Sequence, residues 1–172
     1  MADMNLVWCH GSLSQPWGAK SLALAATAKG LALDMTAPDF QDLENPDQRV
    51  ERLTALLEKD GRPTILAGSS MGGYVAAAAA RTTNVAGLFL LAPAFYLPGY
   101  AIHVFTNLPR HVTLVHGWSD DVVPVDNSIR FARSHSADLH IFDDGHRLEG
   151  SGHKLCILFG QLLTIITKME TA

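Results

Sequence analysis

Six short apolar runs, separated by helical patterns, constrain this chain more than any other feature. Residues 6–9, 31–35, 64–67, 85–91, 112–116 and 139–142 are mostly continuous in hydrophobicity rather than strictly alternating. That is the pattern of strands covered on both faces. Between them, residues 19–29, 46–59, 71–81 and 126–134, and a last segment near 155–168, read as helices. Asn45 is a good N-cap ahead of Pro46 at the first helical position, and Val50, Leu53, Leu56 and Leu57 place one apolar stripe on the helix that follows. The last helix repeats the pattern through Leu155, Leu158, Phe159, Leu162, Ile166 and Met169. Alternating units of this kind predict an α/β fold, about six mainly parallel strands with helices on both faces. In such sheets ligands gather beyond the carboxyl ends of the strands. The polar clusters fall there: His10-Gly11-Ser12, Gly68-Ser69-Ser70, Gly117-Trp118-Ser119-Asp120 and Gly145-His146.

Gly68-Ser69-Ser70-Met71-Gly72-Gly73 lies between an apolar strand and an alanine-rich helix, so G-x-S-x-G occurs in the strand–turn–helix context its chemistry needs. The turn is tight, its flanking residues must be small, and its central serine projects above the sheet. A free helix N-terminus behind Ser70 offers N–H groups to a developing oxyanion. A serine hydroxyl also needs a base, and the base an acid to orient it. Asp120 and His146 follow in chain order, each just past a strand and so at the same sheet edge.

Composition narrows the classes. At 172 residues the chain fits one domain. Thirteen Lys+Arg against 17 Asp+Glu give a net charge of −4 and no basic stripe, which argues against nucleic acid as a partner. The apolar stretches 85–97 and 155–166 are shorter than the roughly 20 residues a membrane span requires. With no basic region leading into an apolar run at the N-terminus, and only Cys9 and Cys156, a reducing, cytoplasmic setting is the simplest expectation. No His or Cys spacing matches a metal site, and the elbow lacks the Lys-Ser/Thr of a phosphate-binding loop. Neither metal nor cofactor is expected.

The chain resembles the α/β-hydrolase superfamily, in particular small lidless serine esterases such as the YqiA-like bacterial esterases. The resemblance rests on Cys9-His10-Gly11-Ser12, Gly-Ala-Lys-Ser at 18–21, the elbow at 68–73, Gly-x-x-Asp-x-Val-Val-Pro at 117–124 and Gly-His-Arg-Leu at 145–148. It implies a minimal hydrolase fold with Ser70 as nucleophile, His146 as general base, Asp120 as the orienting acid, and the Ser12 and Met71 N–H groups as the oxyanion hole. Against the full eight-stranded pattern the first strands are missing, and the first strand here should lie beside the elbow strand. The region where the family inserts a lid is only residues 92–111, which implies no large lid and an open, shallow site.

Each role has a rival. Asp121 adjoins Asp120, His153 competes with His146, and Ser69 adjoins Ser70; spacing and position favour Asp120, His146 and Ser70, the last alone centred between glycines. Trp118, Phe95 and Tyr96 stand where they could wall a pocket for the acyl or alcohol group. Cys9 ends a strand and reads as a buried, inert thiol. The implied activity is cleavage of a small-molecule carboxylic ester. A thioester, lactone or small amide fits the same triad, and the resemblance to retinoblastoma-binding hydrolases keeps a partner-binding role as the alternative.

Overall fold

The computed structural model describes residues 4–169. One six-stranded sheet carries β1 (Asn5–Cys9), β2 (Met35–Thr36), β3 (Thr64–Ser69), β4 (Val85–Leu91), β5 (His111–Gly117) and β6 (Asp138–Phe142). The strand order is β2-β1-β3-β4-β5-β6 and every pairing is parallel. As the family resemblance implies, β1 lies beside the elbow strand β3, in register from Asn5↔Thr64 to Cys9↔Gly68.

Alternation along the strands divides the core in two. Val7, Cys9 and Leu66 face one side, where helices α2 (Pro46–Asp60), α3 (Met71–Ala80) and α4 (Val125–His135) cover the sheet. Leu6, Trp8, Ile65 and Ala67 face the other, under α1 (Ala19–Gly30) and α5 (Gly152–Met169). This is the period-2 geometry of a strand read from both faces. Every residue of α3 is buried, which its run of alanines permits: small side chains let it sit between the sheet and α2. The Asn45 cap forms as its sequence suggests, its side chain accepting from the Asp47 and Gln48 N–H groups.

The run at 31–35 departs from expectation. α1 continues to Gly30, Leu31 closes it with an N–H bond to Ala28 O, and strand pairing is confined to Met35 and Thr36. Leu33 is buried against the α1 side without pairing, so its hydrophobicity serves a helix exit rather than a strand. α5 begins at Gly152, earlier than its apolar stripe suggests, after a 3-10 turn over Glu149–Ser151.

Residues 92–110, between β4 and β5, contain no helix. Phe95 stacks on Phe131 of α4 with ring centroids 4.2 Å apart, and Phe105 packs against both rings. The Ala101 and Ile102 N–H groups donate to Asp47 Oδ2 and Tyr74 Oη. The segment is strapped to the body of the protein rather than raised as a lid. Among the described residues, no helix is long and apolar enough to cross a membrane.

Candidate active site

Ser70 sits between β3 and α3 with φ of 56° and ψ of −120°, a backbone conformation that costs energy for a residue with a Cβ. The surroundings hold it there. Its N–H donates to Leu91 O at 2.9 Å, and its carbonyl accepts from Gly73, Tyr74 and Ala94 N–H. The two flanking glycines are steric necessities: a Cβ on Gly68 would run into the Gly72 carbonyl, and one on Gly72 into the Cys9 carbonyl.

Asp120 follows β5 and His146 follows β6. His146 Nε2 lies 3.1 Å from Ser70 Oγ, and His146 Nδ1 lies 2.8 Å from Asp120 Oδ2. With a carboxylate at Nδ1, that nitrogen carries the proton and Nε2 is left to accept from the serine hydroxyl; the tautomer is assigned from these partners. The Asp120 side chain is fully buried and that of His146 is 18% exposed. Burial pushes the Asp120 carboxyl up, but the Val123 N–H, His146 and the Val122 N–H outweigh it, and the group lies below its ordinary value. Asp121 and His153 are both exposed and stand outside this chain of bonds.

Several supporting residues escaped the sequence reading. His116, fully buried at the end of β5, places Nε2 2.9 Å from Asp120 Oδ2 and 3.0 Å from Val123 O, while Nδ1 meets Ser128 Oγ at 2.7 Å. Asp120 therefore takes N–H donors on both oxygens, His146 on Oδ2 and Val122 and Val123 on Oδ1, while His116, bonded to the Val123 carbonyl, packs its Nε2 beside Oδ2. Asp144 braces the His146 loop by accepting from the Gly145 N–H and the Ser151 hydroxyl, each at 2.8 Å. A Cβ on Gly117 would collide with the Asp144 carbonyl, so the Asp120 and His146 loops are in backbone contact.

Met71 is the first residue of α3, so its N–H has no partner within the helix. Ser12 lies in an exposed turn after β1. That turn abuts Ser70, since a Cβ on Gly11 would stand 3.8 Å from Ser70 Cβ. His10 is structural: Nδ1 donates to Gly11 O at 2.8 Å and Nε2 accepts from the Phe40 N–H at 2.9 Å. Cys9 is buried and its thiol pushed up to about 12, so it stays protonated.

A cavity of about 640 Å³ opens beside this edge, between the start of α1 and the start of α5. Gly11 and Ser69, the residue before Ser70, border it, and Trp8, Leu24, Leu148 and Leu155 supply apolar wall. None of Trp118, Phe95 and Tyr96 lines this cavity. Phe95 is wholly buried in the core, Tyr96 lies beneath the Arg130 guanidinium with 4.0 Å from Cζ to its ring, and Trp118 is 59% exposed. Among the described residues, no group of three or more His, Cys, Asp or Glu side chains is arranged to hold a metal ion.

The model of the alpha/beta hydrolase family matches residues 6–142. The chain belongs to that family. The match contains Ser70 and Asp120 and stops just short of His146. A hydrolase of the alpha/beta superfamily from Xanthomonas campestris pv. campestris is 30% identical to this hydrolase. The alignment covers 93% of this chain and 98% of that one, with a TM-score of 0.86. Est1E from Butyrivibrio proteoclasticus has the same fold at 15% identity, with 97% and 89% of the two chains covered and a TM-score of 0.77. An alpha-beta serine hydrolase homologue from Coxiella burnetii aligns at 22% identity over 92% and 83%, with a TM-score of 0.71. No match was found among curated proteins.

The buried histidines of this hydrolase make its stability depend on pH. His10 and His116 are both wholly buried, and burial lowers both from the ordinary value of 6.5. Their contribution is complete above about pH 6.5, where folded and unfolded chains alike hold them neutral. Below that the unfolded chain takes up protons first, so stability falls towards the lower folded values. The slope is up to about 1.4 kcal/mol per pH unit for each histidine. Melting temperatures should therefore drop between pH 7 and pH 5, and less steeply in His116→Gln. A flat profile over that range would contradict this account.

Proposed function

We propose that this hydrolase cleaves small carboxylic esters through an acyl-enzyme on Ser70. His146 Nε2 takes the hydroxyl proton as Ser70 Oγ bonds to the ester carbonyl carbon, and the carbonyl π electrons move onto oxygen. The Ser12 and Met71 N–H groups receive that oxyanion, and Asp120 stabilises the imidazolium it faces. Collapse of the tetrahedral intermediate breaks the bond to the alcohol oxygen, which leaves with the proton from His146. Water, deprotonated by the same nitrogen, then attacks the acyl carbon and releases the acid and the free serine.

The observation that carries this reading is the unbroken line from Ser70 Oγ through both nitrogens of His146 to the buried Asp120 carboxylate. The cavity bordered by Gly11 and by Ser69, the residue before Ser70, is the room we assign to the acyl group.

The test is covalent labelling. A fluorophosphonate should modify the protein at Ser70, mapped by peptide mass spectrometry, and Ser70→Ala should remain unlabelled. Absence of labelling in a folded sample would sink the esterase reading and bring forward a partner-binding protein that keeps the hydrolase fold.

A further inference from the structure

Arg49 of α2 has no part in the reaction as drawn, yet it is among the largest wholly buried side chains, 1% exposed. A guanidinium taken out of water is costly unless its donors are met. Here they are met by backbone oxygens. Nε donates to Leu43 O at 2.7 Å, Nη1 to His10 O at 3.3 Å and Gly11 O at 3.2 Å, and Nη2 to Ser12 O at 3.4 Å. Three consecutive carbonyls of the turn after β1 thus converge on one cation from a helix some forty residues away. The middle one, Gly11 O, is held a second time by His10 Nδ1.

Carbonyl direction fixes N–H direction. In a trans peptide the two point opposite ways, so the Ser12 N–H, which shares its plane with Gly11 O, is turned away from the guanidinium. Gly11 itself packs on the elbow, its position for a Cβ lying 3.6 Å from Ser69 O and 3.8 Å from Ser70 Cβ. The Gly11 carbonyl also accepts a long bond from the Ser14 N–H at 3.4 Å, and Arg49 joins it to the His10 and Ser12 carbonyls on either side, in an exposed turn whose Leu13 stands fully in solvent.

We propose that Arg49 is a positioning residue for the oxyanion hole: its grip on the His10, Gly11 and Ser12 carbonyls orients the peptide whose Ser12 N–H meets the oxyanion formed at Ser70. This rests on the esterase reading above. Hydrogen bonding to a cation also polarises those peptides and strengthens the N–H groups they share. The clamp acts on the tetrahedral state, where charge sits on the oxygen, and little on the bound ester.

The experiment reads that difference. In Arg49→Lys the positive charge remains but the fork is lost. We expect kcat on p-nitrophenyl butyrate to fall about 10- to 100-fold, within the roughly 10²–10³ that loss of a whole donor costs. KM should move less than about threefold. The inhibition constant of an alkyl trifluoromethyl ketone, whose serine hemiketal carries an oxyanion, should rise by the same factor as kcat. Ser12→Pro removes the donor itself with Arg49 intact, so unchanged kcat there overturns the proposal even if no Arg49 variant folds. It is equally overturned by an Arg49→Lys protein with wild-type kcat, or by one that loses kcat while the ketone binds as before. Wild-type turnover with labelling at Ser70 checks the esterase reading separately: without it both fall, and with it an unaffected Arg49→Lys removes only the clamp.

Discussion

Asp120→Asn should leave the protein folded and lower kcat about 10⁴-fold, the order seen when the orienting acid of a serine protease is amidated. The reason lies in what the carboxylate receives. Three N–H groups are bonded to it, His146 at Oδ2 and Val122 and Val123 at Oδ1, and His116 Nε2 lies 2.9 Å from Oδ2. An ionised carboxylate accepts on every side, whereas an amide accepts at one end and donates at the other. If the Asn oxygen faced the histidines, its NH₂ would oppose the two backbone N–H groups, breaking the turn that leads to Val123. If the NH₂ faced the histidines, His146 Nδ1 would have to accept, and its proton would move to Nε2. Ser70 would then meet a donor where it needs a base. The check is kcat at saturating p-nitrophenyl ester near pH 7.5, with the rate of fluorophosphonate labelling falling in parallel. Asp121→Asn, at an exposed neighbour, should stay within about twofold of wild type. An Asp120→Asn enzyme within tenfold of wild type would show that another group orients the histidine.

The parts of this fold that could be read in advance are those whose physics is local. Continuous apolar runs announce strands covered on both faces, and five of the strands lie where such runs lie. The sixth shows the limit: residues 31–35 have the same hydrophobicity, but Leu33 satisfies it by packing under α1 after the helix exit, and only Met35–Thr36 pair. Hydrophobicity reports burial and is silent on hydrogen-bond partners. The elbow was legible because its glycines answer a steric demand between near neighbours in sequence, apart from the contact of Gly72 with Cys9.

Ser70, Asp120 and His146 were legible because each carries its own local motif; the supporting residues that act across long separations without one were not, though two left traces. Arg49 falls on the α2 face of Leu53 and Leu57, at four-residue spacing, and a cation in an apolar stripe asks for a buried partner. His116 ends an apolar run four residues before Asp120, an interruption that the β5 strand turns towards the carboxylate. The aromatic residues misled for the opposite reason. Phe95-Tyr96 stands near the mouth in sequence, but a wholly apolar ring gains about 1.5–3 kcal/mol by burial. Phe95 takes that gain against Phe131 and Phe105 instead of lining the site. The cavity is walled by α1 and α5, whose approach no local pattern encodes.

Gly72→Ala should be the most damaging single methyl group in this protein. Gly72 is the second residue of α3, and its backbone presses on the end of β1, so a Cβ there would overlap the Cys9 carbonyl and lie 2.7 Å from His10 O. Flexible side chains can yield to an intruding methyl; these are backbone atoms of a central strand. Cys9 is paired with Gly68 of β3, and the His10 carbonyl is held by Arg49. Relief therefore requires α3 to lift from the sheet or β1 to shift in register with its neighbours. Overpacking of this kind costs about 1–3 kcal/mol where side chains can adjust, and a backbone clash belongs at or above the top of that range, roughly 3–5 kcal/mol. Urea unfolding followed by circular dichroism should show the midpoint fall accordingly. The remaining folded protein should also hydrolyse esters poorly, because α3 carries the Met71 N–H and β1 leads into the turn that carries the Ser12 N–H, and a change in their separation pulls the two apart. Gly30→Ala supplies the contrast: a Cβ at that exposed end of α1 meets nothing within 4 Å, so both its stability and its activity should stay close to wild type. Equal midpoints for the two variants would mean that the contact between β1 and α3 is looser than the backbone distances describe.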